Sequence, residues 1–269
     1  MATAELPAPR AQVLDDIVAA QRRHRRWFRG QFVAVWLILV GILGVFLWSA
    51  GRISWAFIFE TGPYIVQGAG ITILVSVAAM AMAIVLALLG ALGRLSKNAV
   101  AYSLASLYVS LVRGTPLLVQ IYFIYFALPS AGIIIDAIPA GIIALGFNYG
   151  AYMTEIFRAG IQAVPRSQRE AAQALGMPER LAFRRIVLPQ AVRIVIPAIG
   201  NDFVAMIKDS ALVSTIAIQE LLWRAQRVGR GQHQVLASIA IAALVYWGLT
   251  IIFSFFQERL EQRMARGDR

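Results

Sequence analysis

Six long apolar runs constrain this chain more than any other feature. They fall at about 32–50, 66–92, 103–128, 139–159, 191–208 and 236–256. Each approaches or exceeds the roughly 20 residues a helix needs to cross a bilayer. In hydrocarbon every backbone N–H and C=O must be satisfied within the segment, so such runs must be helices. The composition agrees. Only 14% of the 269 residues are charged and the mean hydropathy is +0.69, against about 25% charged residues in soluble domains. An all-α membrane protein with about six transmembrane helices is expected. The chain has no cysteine and two distant histidines, His24 and His233, which leaves no disulfide framework and argues against a metal centre.

The net charge of +11 raises nucleic acid as a partner, but the basic residues are placed otherwise. Arg22, Arg23, Arg25, Arg26 and Arg29 precede the first apolar run, where such residues set membrane orientation. With both termini in the cytoplasm, the inner segments 1–31, 93–102, 160–190 and 257–269 hold most of the 25 Lys and Arg residues. Cytoplasmic termini are therefore expected, as is a basic amphipathic arm over 1–31 that meets anionic lipid. Residues 32–61 read as a first span and an outer loop, and 258–269 as a cytoplasmic tail. The first run lacks an A-x-A cleavage site and is read as an anchor. Between the fifth and sixth runs, Asp209–Gln234 carries Arg224, Arg227 and Arg230 among apolar residues, a pattern for a re-entrant or interfacial helix.

Arg113-Gly114-Thr115-Pro116 interrupts the third run. Proline removes a donor and disfavours helix before it, so a break or gate is expected at Arg113, Gly114 and Pro116. Polar and ionisable residues within spans are costly and face a cavity or a partner. Glu155, Asn201, Asp202 and Lys208 are of this kind, with Asn148 and Tyr149 one to two turns before Glu155. Glu155 and Arg158, three apart, can also pair with each other.

The polar run Arg166–Pro189 separates the fourth and fifth spans. Ser167-Gln168-Arg169-Glu170 has the S-x-x-E form of a capping box. Ala171, Ala172 and Ala174 continue a helix, Gly176 suits its C-terminal cap, and Pro178 suits the first turn of a second helix ending near Val187. Pro189 then restarts the chain into the fifth span. The expected form is a short helical hairpin on the cytoplasmic side, shaped for docking.

The same run reads Glu170-Ala171-Ala172, three residues, Gly176, nine residues, then Ile186-x-Leu188-Pro189. It resembles the E-A-A signature of ATP-binding-cassette importer permeases. Gly62-Pro63-Tyr64 through Gly70-Ile71-Thr72, Val112–Gln120 and Gly150–Arg158 are similar to the polar amino-acid uptake branch. The resemblance covers about 62–257 and implies a five-helix type I permease core behind one extra N-terminal helix. It further implies a multi-pass protein of the bacterial inner membrane.

As a member of that family, the chain is expected to couple to a cytoplasmic ATPase dimer through Ser167, Glu170, Ala171, Ala172, Leu175, Gly176, Met177, Ile186, Leu188 and Pro189. A second permease subunit, identical or homologous, and an extracytoplasmic amino-acid-binding protein are further implied partners. With no G-x-x-x-x-G-K-[ST] loop, the chain should hold no cofactor, and ATP and Mg belong to the ATPase. For an amino-acid substrate, Glu155 or Asp202 is a candidate acceptor of the ammonium, and Lys208, Ser210 or Thr115 a candidate donor to the carboxylate. Asn148 and Asn201 complete the substrate-path candidates. A stand-alone ion-coupled transporter or channel is the competing reading, and the E-A-A run speaks against it.

Overall fold

In the computed structural model, which describes residues 8–51 and 54–265, the apolar runs are helical. The chain divides into two units, Met1–Ile53 and Ser54–Arg269. The first contains one helix, α1 (Ala8–Gly51). It runs without interruption through the expected junction between basic arm and span. At 1.5 Å per residue its 44 residues extend about 66 Å. Residues 1–7 of the expected arm and 266–269 of the expected tail lie outside the described residues.

The second unit holds α2 (Trp55–Val66), α3 (Gly68–Arg94), α4 (Ala99–Arg113), α5 (Leu117–Tyr122), α6 (Ala137–Ala163), α7 (Arg166–Ala174), α8 (Glu179–Ala182), α9 (Leu188–Asp209), α10 (Leu221–Gly231) and α11 (Val235–Ala265). Among the described residues four helices are long and apolar enough to cross a membrane, and a bent pair brings this to five. The expected span at 139–159 is α6. Its glycines, Asn148 and tyrosines dilute its hydropathy below that of a lipid-facing helix. It can be so because other helices, not lipid, surround much of it: Ala144, Leu145, Ala151, Met153 and Thr154 are fully buried.

Two local features depart from the sequence reading, and one follows it. Residues 55–61, expected as part of an outer loop, are instead the start of α2, where Ser54 caps the helix by accepting from the Phe57 N–H at 3.1 Å. The third run breaks as expected: the helices on either side of Gly114–Pro116 diverge by 107°. The fifth span does not restart at Pro189. One helical run leads from α8 through a π-helical turn, Phe183–Val187, into α9. The wider π turn lies where Pro189 withholds its N–H from the preceding turn.

The core lies where α3 crosses α6. Val75, Ala79, Ala83 and Ala87, spaced one turn apart, are fully buried against Ala144, Leu145 and Met153. Small residues set the distance between backbones. A Cβ on Gly150 would lie 2.7 Å from the Tyr108 hydroxyl and 2.8 Å from the Leu86 Cβ. On the opposite edge Ile65, Leu221, Ala225 and Ala242 join α2, α10 and α11. Beside that cluster, buried Glu220 ties α3, α10 and α11 together. Its carboxylate caps α10 by accepting from the Trp223 N–H at 2.8 Å, and it also accepts from the Thr72 and Tyr246 hydroxyls. The arginine-rich segment after α9 is thus a packed helix, with Arg224 donating to the Tyr64 carbonyl at 3.0 Å.

Candidate functional site

The hairpin is built from two short arms and a glycine turn. Helix α7 starts at Arg166 behind Pro165, whose carbonyl accepts from the Gln168 N–H at 3.1 Å. Ser167 is therefore inside the helix, and the expected capping box does not form. Pro165 starts the helix earlier because its fixed φ already suits helix entry. The far end is a Schellman cap. The Gly176 N–H bonds to the Gln173 carbonyl at 2.9 Å, the Met177 N–H to the Ala172 carbonyl at 3.0 Å, and Gly176 has φ +72°.

Ala172, Ala182 and Val187 are buried between the arms and their support, whereas Ser167, Glu170, Ala171, Gly176, Leu188 and Pro189 are exposed. Met177 and Ile186 are half-buried. Leu175 is 82% exposed at the tip, an apolar knob beside a glycine turn. The hairpin is held to the body by the Arg169 guanidinium, which donates to the Ile161 carbonyl at 3.1 Å, and by Val164, Val187 and Ala191 packed together.

A second feature lies in the helical body. A cavity of about 330 Å³ is walled by Thr115 at the broken helix, by Asn148, Tyr149 and Tyr152 on α6, and by Asp202 and Asp209 on α9. Positions 202 and 209 are seven apart, which puts both carboxylates on one helix face. The Tyr149 hydroxyl donates to Asp209 Oδ2 at 2.7 Å. Gln120 donates to the Thr115 hydroxyl at 2.9 Å and accepts from the Asn148 amide at 3.2 Å, fixing both side chains. Asp202 Oδ2 is buried without a hydrogen-bond partner.

Of the seven substrate-path candidates, Thr115, Asn148 and Asp202 therefore share this cavity, and the others do not line it. Glu155 is held between Arg94, at 3.2 Å, and Arg158, at 2.7 Å. The last turn of α3 delivers Arg94 there, and Arg94 also donates to the Ser106 hydroxyl at 2.6 Å. With all three charged groups partly exposed, this clamp between α3, α4 and α6 contributes about 1 kcal/mol or less per pair.

Asn201 is exposed and accepts from the Gln257 amide at 2.7 Å, and Ser210 is buried, donating to the Ile207 carbonyl at 2.7 Å. Lys208 is exposed. Arg113, expected at the helix break, is exposed with its guanidinium carbon 5.1 Å over the Tyr152 ring. Gln120 and Tyr152 escaped the sequence reading. Their signals were their place in the two stretches similar to the polar amino-acid uptake branch and their position near the broken helix and one turn past Asn148.

Residues 79–266 match the model of the family described as "Binding-protein-dependent transport system inner membrane component". The L-cystine transport system permease protein of Bacillus subtilis (strain 168) is 38% identical over 205 residues, covering 76% of this chain and 88% of that protein. The putative glutamine transport system permease protein of Rickettsia conorii (strain ATCC VR-613 / Malish 7) is 40% identical over 202 residues, covering 75% and 93%. Among solved structures, the crystal structure of an amino acid ABC transporter with histidines matches with a TM-score of 0.75 and 36% identity, over 78% of this chain and 99% of that one. The chain thus belongs to the inner-membrane components of binding-protein-dependent transport systems.

Proposed function

We propose that this chain is the permease subunit of an ATP-driven amino-acid importer, coupled to a separate ATPase through the hairpin at 166–189. The observation that carries it is the helical run Glu179–Asp209, which starts in the exposed hairpin and ends at the cavity wall. From Glu179 to Asp202 it extends about 35 Å at 1.5 Å per residue. A force applied to the hairpin's second arm at Glu179 thus reaches the cavity's two aspartates along one continuous helical run. The amino-acid relatives support the choice of substrate class.

ATP and Mg bind the ATPase, whose closure pulls the hairpin. The permease pair, of identical or homologous chains, then opens to the outside, and hydrolysis resets it. Substrate arrives on an extracytoplasmic binding protein, enters the cavity beside Thr115, Asn148 and Asp202, and leaves to the cytoplasm, where both termini lie. The broken helix at Gly114–Pro116 supplies irregular backbone where it borders a cavity, the only place such backbone is tolerated at membrane depth.

The test is Glu170→Lys in the reconstituted transporter. Glu170 is exposed on α7, so the charge reversal acts on the partner and not on the permease core. ATP-dependent amino-acid uptake should fall by about tenfold or more, with the permease inserted at normal levels. Unchanged uptake removes the hairpin from coupling.

A further inference from the structure

The hairpin leaves a cleft between itself and the end of α3. This cavity of about 480 Å³ has an apolar floor of Leu92 and Leu95, from the end of α3, and Phe183. Its polar wall is Arg169 and Gln173 on α7 with Glu179 and Arg180 on α8. The membrane-crossing stretch Trp55–Arg94 ends at this floor, so the cleft lies where hydrocarbon gives way to headgroups. The floor does not stop at the cleft. Leu92 is exposed, and so are Leu89, Leu88 and Val85, one to two turns back along the same face of α3. Both arginines are exposed. Arg169 gives one N–H to the Ile161 carbonyl, and a guanidinium has five donors. Among the described residues neither arginine is ion-paired to Glu179, the one acid on the wall. Arg94, at the same end of α3, is committed elsewhere, to Glu155 and Ser106.

We infer that this cleft binds the headgroup of an anionic phospholipid, with Arg169 and Arg180 on the phosphate and an acyl chain along Leu92, Leu89 and Leu88. Such a lipid matches both halves of the cleft. Its phosphate suits the planar fork of a guanidinium, and its chain covers the apolar stripe. Two arginines against one acid leave the wall net positive, and basic pockets beside membrane-crossing helices favour anionic headgroups. A zwitterionic headgroup brings a cation that cancels part of this attraction. An acidic side chain of a docked protein would meet the arginines but leave the stripe bare. Because the wall belongs to both hairpin arms and the floor to α3, the bound lipid braces the hairpin against the span. The cleft fills from the membrane and needs no ATPase, so the inference stands apart from the coupling role proposed above.

The experiment reconstitutes the assembled transporter in phosphatidylcholine vesicles doped with a lipid that carries a diazirine near its headgroup. The doped lipid is phosphatidylglycerol in one arm and phosphatidylcholine in the other. After illumination, crosslinked peptides are mapped by mass spectrometry and normalised to adducts elsewhere on the chain. Phosphatidylglycerol should mark residues 88–95 and 166–187 about tenfold more than phosphatidylcholine does. Arg180→Gln should cut that marking about fivefold, the loss of one basic contact at a membrane surface. Arg180→Lys, which keeps the charge, should retain most of it. Equal marking by the two lipids overturns the inference, as does marking that Arg180→Gln leaves unchanged. Marking erased by inorganic phosphate, but not by chloride at equal ionic strength, makes the occupant a soluble anion and also overturns it. So does marking that appears only after the ATPase is stripped away, since a protein surface then fills the cleft in the assembled transporter. None of these results bears on whether the hairpin drives uptake.

Discussion

Replacing Gly90 with leucine should cost the permease about 3 kcal/mol or more, the upper end of what overpacking does to a core. Gly90 sits on α3 where it meets α6, and a Cβ there would lie 2.3 Å from Thr154 Oγ1 and 2.9 Å from its Cγ2. Thr154 has no room to yield. It is fully buried, and its hydroxyl is already committed to the Gly150 carbonyl at 2.8 Å. Rotating it away gives up that bond in surroundings that offer no other partner. The helices must separate instead, and the alanine ladder at 79, 83 and 87 loses its close contact with α6.

For a chain of this size the loss corresponds to roughly 6–12 °C in Tm. Gly70→Leu on the same helix provides the contrast, because nothing lies within 4 Å of a Cβ there. Leucine's better helix propensity should make that variant neutral or slightly stabilising. Thermal unfolding of the two purified variants decides the point. Equal Tm values would show that the α3–α6 seam does not depend on glycine.

Gly176→Val should separate function from stability. Gly176 holds φ +72° at the hairpin turn, with open space around it. The cost of valine is therefore conformational. An L-residue pays about 1–2 kcal/mol in the left-handed region, and a β-branched one fares worse. The turn relieves this by abandoning its Schellman cap, which displaces Leu175 and frays the end of α7. Because the turn is a peripheral loop tip, global Tm should shift by no more than a few degrees. Uptake should fall by about tenfold or more, since the docking knob is misplaced. Gly176→Asn keeps a residue that tolerates the left-handed region and should preserve most of the uptake. If valine and asparagine transport alike, the turn's conformation does not matter for coupling.

The features legible in the sequence were those set by local rules. Span-length apolar runs, the break at Gly114–Pro116 and the glycine turn at 176 each follow from the chemistry of a few adjacent residues. The capping box failed for a local reason too, since Pro165 opened the helix before Ser167 could cap it. What stayed hidden depended on distance. Glu155 looked like a cavity residue because its partner Arg94 lies 61 positions earlier and meets it only through the α3–α6 crossing. Glu220, Thr72 and Tyr246 are 148 and 26 positions apart, and nothing in the local pattern joins them. The cavity is a mixed case. Asn148 and Asp202 were visible as polar residues in spans, but only packing could show that they face one space and that Lys208 does not.

The central claim is that a separate ATPase grips the hairpin tip. The chain contains no cysteine, so Leu175→Cys places a single thiol at that tip. Labelled with a photoactivated maleimide crosslinker in the transporter complex, it should yield one adduct with the combined mass of permease and ATPase. Gly231→Cys, at the far end of α10 where a Cβ meets nothing within 4 Å, should yield no such adduct. An adduct from Gly231→Cys as abundant as that from Leu175→Cys, or none from Leu175→Cys in a complex that hydrolyses ATP, would contradict the account.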